Sequence, residues 1–146
     1  MSEARAVERV FRTERTIWWG HADMAVMINM PRAFDFAGEV IEEFLRDRLG
    51  FTFRQMIQEK GFDLPFVHAS CDYSAPLIEG ESFDLTLQVG KLGTKSITWI
   101  VTAYKKDGVQ AFKTTLVNVV LDHTTGLSMP IPDAVRAGLT PYLIEG

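Results

Sequence analysis

Between residues 82 and 89 apolar and polar positions alternate strictly, with Phe83, Leu85, Leu87 and Val89 set against Asp84, Thr86 and Gln88. Ile97, Trp99, Val101 and Ala103 repeat the pattern. A period of two puts every apolar side chain on one face of an extended chain, so strands are predicted over residues 82–89 and 96–104. Similar runs predict strands over residues 66–73 and 109–121, and an earlier one over residues 7–19, where Phe11, Thr13, Arg15 and Ile17 alternate with Val10, Arg12, Glu14 and Thr16. The connections at 90–93 and 105–108 are too short for parallel crossovers and predict antiparallel hairpins.

The period changes between residues 31 and 49. Phe34, Ala37, Ile41, Phe44 and Leu45 recur every three or four positions, while Arg32, Asp35, Glu39, Glu42, Glu43 and Arg46 fill the other face. Pro31 suits the start of a helix because its missing N–H would have no partner there, and Gly50 suits a left-handed end. A helix over 31–49 would be about 28 Å long, close to the width of five or six strands at about 4.8 Å each. Residues 53–60 read as a shorter helical or irregular stretch, and 133–138 as a short helical turn after Pro130 and Pro132. The expected fold is α+β: a curved antiparallel sheet wrapped around one long central helix, in a single domain over 1–146. One helix cannot cover both faces of such a sheet, and its edges are unpaired, so self-association as a dimer is expected.

Composition narrows the partners. With 146 residues and 47% of them hydrophobic, the chain can build a core. The net charge of −4 and the lack of a Lys/Arg block argue against nucleic acid or an anionic membrane, leaving room for a small anion held by a few local cations. Cys71 is the single cysteine, so no intrachain disulfide forms, and the opening residues hold no apolar stretch of the kind a secretion signal has. No apolar run reaches the roughly 18 residues that span a bilayer. A cytoplasmic protein is expected. The three histidines, at 21, 68 and 123, lack the close spacing of a metal site, so no metal is predicted, nor any redox cofactor. His68 and Cys71 suggest a nucleophile with its base, but alternation puts them on opposite faces, and Cys71 reads as a small core residue.

Candidate chemistry lies in the segment Ile17-Trp18-Trp19-Gly20-His21-Ala22-Asp23-Met24-Ala25-Val26-Met27-Ile28-Asn29-Met30-Pro31. It ends at a helix start, where the first backbone N–H groups have no partner within the helix and carry the positive end of its dipole. Met30 has no oxygen to cap them, although Asn29 does. Free donors of this kind can polarise a carbonyl and stabilise the charge that develops during acyl transfer. Asp23 is the only carboxylate between Glu14 and Asp35, and it can act as nucleophile or as base to a water. In an extended segment His21 would point the same way as Asp23 and could share its proton. Trp19, Met24, Met27 and Phe34 offer an apolar slot suited to a flat acyl group. Arg32, Lys91 and Lys95 are candidate phosphate contacts.

This segment resembles the 4-hydroxybenzoyl-CoA thioesterase family, in which an aromatic residue and Gly precede Asp-x-Asp, an apolar run and a Pro that opens the central helix. Trp19-Gly20, Asp23, Ala25 and Pro31 match, and the closing Ile131-Pro132 segment is similar. The resemblance implies a hotdog fold, acyl-CoA thioester hydrolysis with coenzyme A as part of the substrate, Asp23 as the catalytic carboxylate and the Met30 amide as oxyanion donor. It also implies CoA contacts from a second subunit, in a homodimer or homotetramer. His21 stands where the family has its first Asp, and Val26 where a Gly is usual; Val resists the positive φ angles that Gly adopts, so the path of the loop, and with it the placement of Asp23, turns on that position. The alternative reading is a non-catalytic acyl-CoA sensor on the same fold.

Overall fold

A computed structural model describes residues 9–144. Five strands form one antiparallel sheet: β1 (Phe11–Thr16), β3 (Phe66–Tyr73), β4 (Ser82–Leu92), β5 (Ser96–Lys105) and β6 (Gln110–Val119), in the order β1-β4-β5-β6-β3. Helix α1 (Arg32–Phe44) continues through wider π-type turns over Leu45–Leu49 to Gly50, whose φ of 84° is the expected left-handed end. A second helical stretch, α2 (Phe53–Gln55) with π-type turns over Met56–Lys60, follows; Thr52 and Gln55 cap its start reciprocally. Strands β2 (Phe62–Asp63) and β7 (Leu121–Asp122) pair separately, and α3 (Asp133–Leu139) runs into a 3-10 turn over Thr140–Tyr142.

The expected α+β hotdog arrangement is present, with several corrections. The first strand ends at Thr16, short of Trp19; the predicted residues 7 and 8 lie outside those described. The fourth element does not stop at Val89 but runs on to Leu92, because a bulge at Gly90 shifts its register against β5. A Cβ on Gly90 would lie 3.0 Å from the Ile100 side chain, which would have to give by a few tenths of an ångström to admit it. Strand β3 does not neighbour β4 as a simple meander would have it; it crosses to the far edge beside β6.

The core lies between α1 and the inner sheet face. Ala33, Phe36, Ala37, Val40, Ile41 and Phe44 are the buried stripe of the helix, facing Phe83, Leu85, Leu87, Trp99 and Phe112. Phe34, expected in that stripe, is only half-buried, because the stripe is centred one position earlier, on Ala33 and Ala37. Polar groups in the core are satisfied. Trp99 Nε1–H donates to Asn118 Oδ1 (2.5 Å), and Asn118 Nδ2 donates to the Leu64 carbonyl (2.8 Å). Cys71 is half-buried against the core, which pushes its thiol pKa up.

At the other end of the hairpins the loop 76–81 is locked by Glu81, whose carboxylate lies 2.7 Å from Lys105 Nζ and accepts the Ile78 N–H at 3.1 Å. Burial opposes ionisation of Glu81, but the contacts from Lys105 and Ile78 outweigh it and hold its pKa below the ordinary 4.5. A depressed folded value means stabilisation that is complete above the ordinary value and fades as pH falls below it. Glu81→Gln is therefore expected to cost about 1 kcal/mol near neutral pH, and urea melts should show the gap to wild type narrowing as pH drops below 4.5.

Candidate active site

Loop 76–81 is the platform on which the candidate segment rests. Ile17 is fully buried; its N–H donates to the Glu81 carbonyl (2.9 Å) and its own carbonyl accepts from Gly80 N–H (2.7 Å). Further on, Ile28 N–H donates to Leu77 O (2.7 Å) and Glu79 N–H to Val26 O (2.9 Å). Between these anchors the chain makes a tight 3-10 turn at Trp19–His21 and then a miniature hairpin closed by the Ala22–Ile28 bridge.

Asp23 stands at the base of that hairpin's tip. Its N–H donates to Met27 O (2.9 Å), its carbonyl accepts from Val26 N–H (3.0 Å), and its Oδ1 accepts from Ala25 N–H (2.8 Å). One carboxylate oxygen therefore shapes the turn, while Oδ2 takes no hydrogen bond from any described residue. Val26 completes the tip with a φ of 64°, the only positive value at a non-glycine among the described residues. Val26 thus takes the left-handed conformation itself, where a glycine would be unstrained. Such a conformation costs an L-residue roughly 1–2 kcal/mol, and a β-branched one is an outlier there. Val26→Gly should thus stabilise the fold by about 0.5–1 kcal/mol after glycine's own entropy cost, read as a rise in thermal midpoint of about 2 °C.

His21 does not join Asp23. Because Trp19–His21 is a turn and not an extended segment, the imidazole folds back: Nδ1 accepts the Trp18 N–H (3.0 Å), and the ring lies 4.9 Å from that of Phe36. It packs the loop onto the core.

At the helix start no side chain caps the backbone, so the Asn29 oxygen is not used there. Main-chain carbonyls do instead: Arg32 N–H donates to Asn29 O (2.8 Å), Ala33 N–H to Met30 O (3.2 Å) and Phe34 N–H to Pro31 O (3.1 Å). Pro31 has no N–H. Among the described residues the donor left without an acceptor in this turn is the amide of Met30, the group expected to polarise a carbonyl. Its position is steadied from β3, where the Tyr73 hydroxyl donates to the Met30 carbonyl. Burial, reinforced by the neighbouring Cys71, pushes the Tyr73 pKa up, which keeps the hydroxyl a neutral donor. Sequence does not single out Tyr73, since only the crossing of β3 to the far sheet edge brings it to the helix start. Tyr73→Phe should cost about 1 kcal/mol of whatever stabilisation the Met30 amide provides, roughly a fivefold fall in kcat with KM nearly unchanged.

The other predicted site residues divide. Trp19 (73%), Met24 (101%) and Met30 (62%) are openly exposed and Met27 less so, and together they edge the loop with apolar surface. Phe34, Arg32 and His21 line one cavity with Phe53 and Phe66, and Arg32 is paired with Asp35 at 3.0 Å. Lys91 and Lys95 are not brought to Asp23 within one chain. They sit at the far tip of the β4–β5 hairpin, about 30 Å from the end where β1 enters the loop, with Lys95 Nζ on Ser128 Oγ at 3.4 Å. No cluster of three or more His, Cys, Asp or Glu that could hold a metal occurs among the described residues, and no helix there is long and apolar enough to cross a membrane.

Residues 17–139, from the start of the loop to the end of α3, match the model of the thioesterase-like superfamily. The chain belongs to that superfamily. A 1,4-dihydroxy-2-naphthoyl-CoA hydrolase of Thermosynechococcus vestitus is 25% identical over 126 residues, covering 86% of each chain. Among solved structures, a thioesterase-superfamily protein from Jannaschia superposes with a TM-score of 0.87 at 24% identity, covering 97% of this chain and 98% of that one. A gentisyl-coenzyme A thioesterase superposes at 0.74 with 24% identity, over 88% of this chain and 99% of its own. The hotdog fold of this thioesterase-like chain is thereby established, and the thioester-hydrolase class expected from sequence agrees with the names of its relatives.

Proposed function

We propose that this thioesterase-like chain hydrolyses an acyl-CoA thioester, with Asp23 attacking the acyl carbon or activating the water that does. The observation that carries the reading is the Met30 amide at the helix start, on the same short loop as Oδ2 of Asp23, neither of them bonded to any described residue. An amide N–H in that position can donate to the developing oxyanion of the thioester carbonyl. As the C–S bond breaks, the coenzyme A thiolate departs and takes up a proton, and a water oxygen ends in the acid. No metal or redox group is required by this chemistry.

An aromatic acyl group is the favoured substrate. Two relatives carry names of aromatic CoA esters, naphthoyl and gentisyl, and Trp19, Met24 and Met27 offer flat or polarisable apolar surface around the loop. The exposure of these residues and the one-sided pairing of β3 favour a site completed by a second copy of the chain. Lys91 and Lys95, remote from Asp23 in their own subunit, would reach coenzyme A phosphates only from another. Steady-state hydrolysis of aliphatic and aromatic acyl-CoA esters tests the reading: turnover favouring the aromatic esters is expected. Binding of these esters without turnover of any would establish the sensor alternative instead.

A further inference from the structure

At the opposite end of α1 from the Asp23 loop lies a second cavity of about 520 Å³. The 18 residues of Arg32–Leu49 separate the two regions by roughly 27 Å. Its walls include Leu49, Phe51, Phe62, Met129 and Val135, and of these Phe51, Phe62 and Val135 are buried side chains of the core. The volume is that of a small-molecule site.

Its polar lining has one sign. Arg48 and Lys60 are exposed and line the cavity, and no acidic residue does. In a chain of net charge −4 several cations lie against carboxylates: Arg15 on Glu39 and Glu43, Arg32 on Asp35, Arg46 on Asp47, Lys105 on Glu81, and Lys106 on Glu14 and Asp84. Neither Arg48 nor Lys60 is ion-paired with a described residue. Each lies instead over an aromatic ring, Arg48 at 5.1 Å from the Phe11 centroid and Lys60 at 5.3 Å from that of Phe51. A ring face steadies a cation without neutralising it. Two positive charges without an ion-pair partner among the described residues, beside a buried apolar floor, are complementary to a molecule with an apolar body and one anionic head.

We propose that this cavity is a binding site for a small amphiphilic carboxylic acid, its apolar body against Phe51, Phe62 and Val135 and its carboxylate between Arg48 and Lys60. The site is separate from the Asp23 loop, and its occupancy does not depend on whether Asp23 is catalytic.

Methionine methyl groups report on both regions in one measurement. Met129 lines this cavity, Met24, Met27 and Met30 lie on the Asp23 loop, and Met56 is buried in the core. In the full chain labelled at the methionine methyls, naphthalene-2-carboxylate is expected to shift the Met129 signal saturably and to leave Met56 in place. The neutral 2-naphthalenemethanol should bind about tenfold more weakly, the loss expected when a charge-assisted contact is removed. The Arg48→Gln/Lys60→Gln double variant should lose the same preference, and Ala134→Trp, which adds a large ring at the cavity lining while keeping both cations, should abolish the Met129 shift. The proposal is overturned if Met129 stays still up to millimolar acid while only Met24, Met27 and Met30 move. It is equally overturned if acid and alcohol bind alike, or if the double variant binds the acid as wild type does.

Discussion

Asp23→Asn is expected to lower kcat for acyl-CoA hydrolysis by about 10²- to 10⁴-fold while leaving the thermal midpoint within about 1 °C of wild type. The proposed reading gives aspartate at this position two separable duties. Its Oδ1 accepts the Ala25 N–H at 2.8 Å and shapes the hairpin tip, a bond the amide oxygen of asparagine makes equally well. Its negative charge is what a nucleophile or general base requires, and asparagine lacks it. Asp23→Ala removes both and should lose stability as well as activity. Calorimetry and steady-state rates on the two variants together distinguish the duties. An Asp23→Asn protein with full activity on a substrate that wild type turns over well would move the chemistry away from this carboxylate.

How far the sequence foretells this loop depends on the range of the interactions involved. Alternation in residues 82–89 and 96–104 and the three-to-four spacing in residues 31–49 are local signals, because burial on one face is decided by each element's own period. Asp23 and Met30 were reachable for a related reason: a proline-opened helix start leaves donors nearby, and one carboxylate lies close in sequence. Which donor stays free is not a local matter. The carbonyls of Asn29, Met30 and Pro31 take up the next three amides and leave that of Met30, an outcome of turn geometry that residue types do not encode. Tyr73 and Glu81 were invisible for the same reason, since their partners, Met30 and Lys105, come from elsewhere in the chain.

Val26 and His21 are the two departures from the family pattern, and the fold absorbs them differently. Val26 adopts a positive φ where glycine would be unstrained, so the loop's path is imposed by its hydrogen bonds to Leu77 and from Glu79, at an energetic cost. His21 gives up any link to Asp23 and becomes a prop, its Nδ1 on the Trp18 amide and its ring on Phe36. In the proposed reading the chemistry of the loop therefore falls to Asp23 without His21, while the loop's shape depends on what lies under His21.

What lies under His21 is Phe36, and Phe36→Ala should be the most damaging single change to the support of the loop. Phe36 is 3% exposed, with its ring 4.9 Å from that of His21 on one side and 5.4 Å from that of Phe83 on the other. Removing it leaves a cavity between the helix and the sheet and costs about 3–5 kcal/mol, a large share of the roughly 5–15 kcal/mol that holds a domain together. Two positions earlier, Phe34 is half-buried and lines the cavity shared by His21 and Arg32, so Phe34→Ala should cost about 1 kcal/mol and act mainly by raising KM. Urea melts and steady-state kinetics on the pair should therefore diverge: Phe36→Ala loses stability first and activity with it, whereas Phe34→Ala keeps its fold and binds substrate more weakly. The reverse outcome would place the acyl group against Phe36 and leave the loop supported by its backbone hydrogen bonds alone.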